Sequence, residues 1–308
     1  MIKRLGLAAC IFFAAQISSV SAESLDTSYD MPGASSGWDL SIAPYAWLIF
    51  VTGDQTAGTT TSDINTNLFE IIDEAKELYA FMSDQELRNG RLGIFADVFW
   101  AKVRVPASQS FQGKIPTLPR HPNLPIAVNA DGGATVNIVI AEPGIAYEIF
   151  NRTSGGSLKD PAAHLRSTAI DVLAGARYWY LKTEIGLNVT ATVDFPTLGL
   201  SRTRAGRVDG SSTVDWWDPY VGLRFRQQRG PGEELVLRGD IGGFGAGSDL
   251  TWQLEGLYNI DTTLLGYNVT AQLGYKALYV DYSQGSGSNA VGFDWLWHGP
   301  VAGAKFSW

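Results

Sequence analysis

Residues 291–308 read VGFDWLWHGPVAGAKFSW, and the fold turns on this stretch. Counting back from the end, Trp308, Phe306, Ala304 and Ala302 share one parity, and Ser307, Lys305 and Gly303 the other. Successive side chains of a strand point to opposite faces, so this is a strand with one apolar face and one small or polar face. A carboxylate directly after Trp308 needs water. That suits a strand that crosses an apolar slab and leaves its last aromatic at the interface. Farther back the parity reverses, because Phe293, Trp295 and Trp297 are odd-numbered. If the apolar face looks outward throughout, it must switch at His298-Gly299-Pro300, and a bulge is expected there.

The other end of the chain fits such a strand. Met1-Ile2-Lys3-Arg4 is basic, 5–17 is apolar, and Val20-Ser21-Ala22 offers small residues before a cut. This predicts a secretory signal peptide over 1–22, cleaved after Ala22, and its apolar run is too short for a membrane span. Residues 23–37 read as a flexible leader and 38–308 as the folded domain. Cys10 stands too early in the apolar run for a lipid anchor. It leaves with the peptide, so the mature chain forms no disulfide. Lys3 and Arg4 leave too and no acid does, which moves the formal charge from -8 to -10. So acidic a surface argues against nucleic acid as a partner. The 10 Trp, 12 Tyr and 14 Phe are enough for aromatic girdles. No later run reaches about 18 apolar residues, so any membrane crossing must be made by closed strands.

The chain between supplies those strands. Residues 38–51 put Leu40, Ile42, Pro44, Ala46, Leu48 and Phe50 on one face, with a bulge or gap expected near Pro44, which lacks a backbone N–H. A Gly/Thr-rich loop is expected over 52–65. Residues 67–77 read as a helix capped by Asn67, either a plug across a barrel mouth or a loop helix on its rim. A hairpin turns at Asn89-Gly90 between 78–88 and 91–105. Residues 106–133, with five Pro, read as a long loop. In 134–150, Val136, Ile138 and Ile140 hold one parity and Ile145, Tyr147 and Ile149 the other, so a bulge is expected at Glu142-Pro143-Gly144. Residues 151–166 read as a turn. Residues 167–193 read as one strand that continues above the membrane, with a parity change after Lys182, and 195–213 as a polar loop. Strands follow over 214–228, 234–242, 249–259 and 264–282, the last with the cleanest alternation. The class is all-β: a transmembrane antiparallel up-and-down barrel of about ten strands (roughly 8–12), with one short loop helix.

On these strands the face opposite the lipid carries Glu86, Arg88, Asp97, Asp171, Arg177, Asp218, Arg224, Arg226, Arg238, Asp240, Glu255 and Lys276. Mixed signs on one face of neighbouring strands predict a charge network in the lumen. It either fills the bore or lines a narrow pore. The chain has three His. His121 and His164 lie in predicted loops and His298 beside Pro300, so an outer-membrane hydrolase or acyltransferase is the alternative rather than the main reading. No metal cluster, phosphate loop or dinucleotide fingerprint appears, and no cofactor is expected.

The terminal stretch resembles the last strand of Gram-negative outer-membrane β-barrels, in which a Gly followed by aromatics at the third-last and last positions forms the assembly signal. Gly303, Phe306 and Trp308 match it, and Val301 departs from it where a polar residue is usual. Gly175-Ala176-Arg177-Tyr178-Trp179, Asp218-Pro219-Tyr220-Val221-Gly222-Leu223-Arg224, Arg238-Gly239-Asp240-Ile241-Gly242-Gly243-Phe244 and His298-Gly299-Pro300 also resemble segments of uncharacterised barrels of that kind. The resemblance implies an outer-membrane location, lipid contact, periplasmic chaperones and the barrel assembly machinery. It carries no substrate or catalytic residues.

Overall fold

The computed structural model describes residues 37–115, 124–154, 166–195, 199–264 and 266–308. The predicted signal peptide, nearly all of the predicted leader, His121 and His164 lie outside them.

The strands are β1 (Asp39–Trp47), β2 (Phe50–Ala57), β3 (Thr60–Asn67), β4 (Glu77–Asn89), β5 (Leu92–Ile115), β6 (Leu124–Ser154), β7 (Arg166–Phe195), β8 (Leu200–Gly230), β9 (Glu233–Gly243), β10 (Leu250–Leu264), β11 (Tyr267–Gln284) and β12 (Val291–Ser307). All pair antiparallel. β1 and β4 to β12 form a ten-strand ring that closes where β12 meets β1. Leu40 and Trp308 seal that closure by exchanging both backbone hydrogen bonds, at 3.1 and 2.9 Å. The closing strand thus lies between the first and the penultimate strands.

The β2–β3 hairpin sits on top of this ring, with β2 continuing the line of β1 along β12. One end of the barrel, here the near end, holds Asp39, Ser307 and tight turns such as Asn89-Gly90, where Gly90 has φ +55°. The far end holds the β2–β3 hairpin and four long strands. β5, β6, β7 and β8 run 24, 31, 30 and 31 residues, well beyond the roughly nine to eleven that cross a bilayer. Their surplus forms a four-stranded extension.

The outer face is apolar. Val221, Leu223, Leu254 and Leu273 are each more than half exposed, and Trp217, Tyr275 and Trp308 stand with them. An exposed apolar belt this large is unfavourable in water and defines a transmembrane barrel. Among the described residues no helix is long and apolar enough to cross a membrane.

Several sequence expectations are corrected. Residues 52–65 are not a loop but most of the β2–β3 hairpin, and the expected loops at 106–133 and 195–213 are largely strand. These segments pair outside the apolar belt, where neither face needs the alternation that marks a half-buried strand. No bulge occurs at 142–144, because the register of β6 with β5 is unbroken from Leu92↔Tyr147 to Ile115↔Leu124. The shift in β6 falls instead between Glu148 and Phe150. Nor does β12 bulge at 298–300, since its register with β11 is continuous from Thr270↔Lys305 to Gln284↔Val291. Both apparent parity switches have one cause: at the far half of the barrel the inward side chains are apolar too. Ile140, Phe293, Trp295 and Trp297 are buried inside. β7 is one strand in unbroken register with β8, and it continues past Lys182.

The break near Pro44 is present. The β1–β12 ladder skips Ala43 and Pro44, and the β1–β4 ladder ends at Pro44↔Ser83. Helix α1 (Leu68–Glu74) is capped by Asn67, whose Oδ1 accepts from the N–H groups of Phe69 and Glu70. It buries no residue, and its first N–H, on Leu68, bonds Ile49 O. It is therefore a rim helix and not a plug.

Candidate functional site in the barrel lumen

Inward positions alternate along each strand, so the ring stacks side chains in layers along its axis. The layer nearest the near end is an ion cluster. Arg224 holds Glu86 with both terminal nitrogens at 2.7 and 2.9 Å and reaches Asp171 through Nε at 2.9 Å. Arg226 donates to Asp171 at 3.1 Å and to Glu148 at 3.0 Å. Arg88 contacts Glu86 at 2.8 Å and Asp171 at 3.2 Å. Three cations thus meet three carboxylates, and Asp171 is fully buried among them.

A second cluster lies above. Fully buried Arg177 donates to Glu142 at 2.7 Å, Asp240 at 2.9 Å and the Thr251 hydroxyl at 2.7 Å. Arg238 bridges the same two carboxylates and lies over the rings of Phe95 and Tyr220. Lys276 pairs with Asp97, which also accepts from Tyr45 Oη at 2.7 Å. The ammonium of Lys276 lies 5.4 Å from the centroid of the Trp47 ring. A buried charge is tolerable only when paired and hydrogen-bonded, and each charge in this cluster is.

The third layer is aromatic. Trp179 stacks on Trp216 at 5.6 Å, and Trp216 on Tyr282 at 3.9 Å. The chain of rings continues through Phe293 and Trp295 to Trp297. Phe99 meets Trp297 and Trp47 edge-on, at 5.7 and 6.2 Å. These rings come from β1, β5, β7, β8, β11 and β12, so they cross the whole bore. Below them a cavity of about 250 Å³ reaches strand-end residues Asp39, Glu234 and Ser307 and is lined by Asp84 and Glu255 as well. Between the aromatic layer and the Lys276–Asp97 pair the free space is about 10 Å³, room for one water at most.

All twelve lumen residues predicted from alternation face inward, but they divide. Asp218 stands apart from the ion pairs: it accepts from Ser248 N at 2.6 Å, Ser248 Oγ at 2.7 Å and Trp216 Nε1 at 3.0 Å, tying the 244–249 loop to the wall. Glu255 lines the cavity. Sequence reasoning missed Glu142 and Glu148. Glu142 was masked by the bulge assigned to its position, although a continuous even parity through Ile140 and Ala146 places it inside.

At the terminal signal, Phe306 and Trp308 stack outward at 6.3 Å. Gly303 faces Tyr45, and a Cβ there would fall 2.9 Å from the Tyr45 Cβ. His298, the one His among the described residues, is on the outer face. It stacks near Phe50 and its Nδ1 lies 2.6 Å from Tyr275 Oη. Asp97, Asp218 and Asp240 face the opposite way. Among the described residues no His/Cys/Asp/Glu group could hold a metal ion.

The ring and its apolar outer face define the class: an antiparallel transmembrane β-barrel of ten strands. Among solved structures the chain is similar to the attachment invasion locus protein Ail of Yersinia pestis, at 12% identity, covering 87% of this chain and 99% of that one with a TM-score of 0.26. It is also similar to a FadL homologue of Pseudomonas aeruginosa (8%, 87% and 89%, TM-score 0.28) and to the outer membrane protein OpdK of the same organism (10%, 88% and 99%, TM-score 0.20). No family model and no curated protein sequence matches it.

Proposed function

We propose that the chain is an integral outer-membrane β-barrel of a Gram-negative cell, closed to free diffusion, that works at the cell surface. The observation that carries this is the aromatic layer across the bore above two charge-balanced clusters. A pore needs a continuous wet path, and this lumen has side chains where that path would run. A channel along the same charges requires the Trp layer to move aside.

Short turns lie on the periplasmic side of such barrels and long segments outside. The near end is then periplasmic and the extension formed by β5 to β8 projects from the cell. The apolar belt contacts outer-membrane lipid. Export would use residues 1–22, and periplasmic chaperones and the assembly machinery would receive the chain, the latter through Gly303, Phe306 and Trp308. The enzyme alternative is disfavoured by His298, which faces lipid, away from the lumen carboxylates.

Migration of the membrane fraction on gels, boiled and unboiled, tests the reading. A folded barrel runs at a shifted position until heated and stays in the membrane at alkaline pH. Extraction by carbonate contradicts it.

A further inference from the structure

The extension formed by β5 to β8 leaves one long strand edge unused. Above the ring β8 pairs with β7 alone, from Phe195↔Leu200 downward, and its second ladder, with β9, begins only at Tyr220↔Gly242. Among the described residues nothing else pairs with β8, and every residue from Leu200 to Thr213 is exposed. The free stretch ends at Trp216, whose indole N–H donates to Ser248 Oγ of the 244–249 loop at 2.9 Å. Along 201–215 about half of the backbone N–H and C=O groups therefore have no ladder partner, which makes a template for another strand.

Charged side chains commonly blunt such an edge. Here they are arranged differently. Between Leu200 and Val214 the charged residues are Arg202, Arg204, Arg207 and Asp209, and no Pro interrupts the stretch. Arg207 and Asp209 pair with each other at 2.8 Å, with both side chains more than half exposed.

This order of charges complements itself. Opposed residues of an antiparallel pair share a face, so a two-fold axis normal to the sheet sets residues of equal parity opposite each other and passes through one of them. An axis at Arg207 or at Asp209 opposes like charges. An axis at Val208 opposes Arg207 of each copy to Asp209 of the other, Gly206 to Gly210 and Thr203 to Thr213. Its outermost pair is Ser201 with Asp215, so it uses the free edge and stops before Trp216. An axis at Ser211 also opposes Arg207 to an acid, Asp215. It sets Arg202 opposite Tyr220, however, where β9 already pairs.

We propose that the 201–215 edge of β8 is a self-association site, to which a second copy of this chain adds its own β8, antiparallel and centred on Val208. The antiparallel direction decides where the copies stand. Rotation about an axis normal to the sheet puts the two barrels at opposite ends of a joined eight-stranded sheet, in facing membranes. From Trp217 in the apolar belt to Val208 the strand rises about 30 Å at about 3.3 Å per residue, so the membranes stand at most about 60 Å apart. One strand edge is a small interface, and many copies on each membrane act together. The proposal rests on the barrel reading and the outward extension given above.

The test uses the full refolded barrel in lipid vesicles. A sample without the heat-modifiable shift counts against the barrel reading instead. Native barrels should cluster the vesicles, read as turbidity, under conditions where empty vesicles stay dispersed. Arg207→Asp and Asp209→Arg, each alone, oppose like charges at the centre and should cut clustering at least about tenfold. Vesicles carrying one variant, mixed with vesicles carrying the other, should cluster again. Register is read with Thr203→Cys and Thr213→Cys, which should form a disulfide-linked dimer when the two are mixed and oxidised, and neither alone. Heat-modifiable barrels whose vesicles stay dispersed, clustering that neither charge variant weakens, or cysteines that link no better mixed than alone would each overturn the site.

Discussion

Glu142 is the residue on which the lumen chemistry converges. Its two oxygens receive Arg177 and Arg238, and removing Arg177 leaves the buried carboxylates of Glu142 and Asp240 to share Arg238 alone. The large penalty in such a network comes from breaking a pair rather than lacking one. Arg177→Ala should therefore destabilise the barrel by roughly 3–5 kcal/mol, read as a lower urea midpoint in lipid or detergent. A loss below about 1 kcal/mol would show that Arg177 is not paired as described. Most of the cluster was legible in the sequence, because charged residues alternate with apolar ones and the bilayer forbids the reverse arrangement. Glu142 was not, because Ile138 and Ile140 read as lipid-facing. Where the inside is as apolar as the outside, the two-residue period persists but no longer says which face is which.

Among the elements, β12 shows the same ambiguity at greater length. Its Trp and Phe residues suggested a face switch, yet the strand is regular, and Gly299 serves another purpose. A Cβ on Gly299 would lie 1.9 Å from the backbone O of Leu48, where β12 passes the junction of β1 and β2. The atom met is backbone, so no side-chain rotation relieves the contact. Gly299→Ala should cost at least about 1–3 kcal/mol and cut the folded, heat-modifiable fraction severalfold. Gly206→Ala, in the extension with open space around the added carbon, should fold like the native protein. Equal yields for the two would contradict the close approach at Leu48. Asn89-Gly90 and the alternation of 264–282 located their strands well. The long hairpins were missed because Pro, Gly and Arg read as loop where both faces of a sheet meet water. The break at Pro44 was legible, since a residue without an N–H cannot complete a ladder; the unpaired β4 edge beside it was not.

At the scale of the molecule, the barrel has a charged lower lumen, an aromatic upper lumen and a tall sheet on one side. The ring of about ten strands was legible from the count of alternating segments; the seal was not, because it needs the registers of six strands at once. Orientation follows from where the short turns lie. Val208→Cys, on the extension, should react with a membrane-impermeant maleimide on intact cells, whereas Arg91→Cys, at a near-end turn, should react only after the outer membrane is opened. The reverse pattern would invert the barrel. The seal itself is tested most directly by single-barrel conductance in a planar bilayer, with insertion verified by the heat-modifiable shift of the same sample. A bore crossed by Trp47, Trp179, Trp216 and Trp297 predicts silent bilayers for the native protein and steps of current when these residues are cut to Ala. Reproducible conductance steps from the native, well-folded barrel would contradict it.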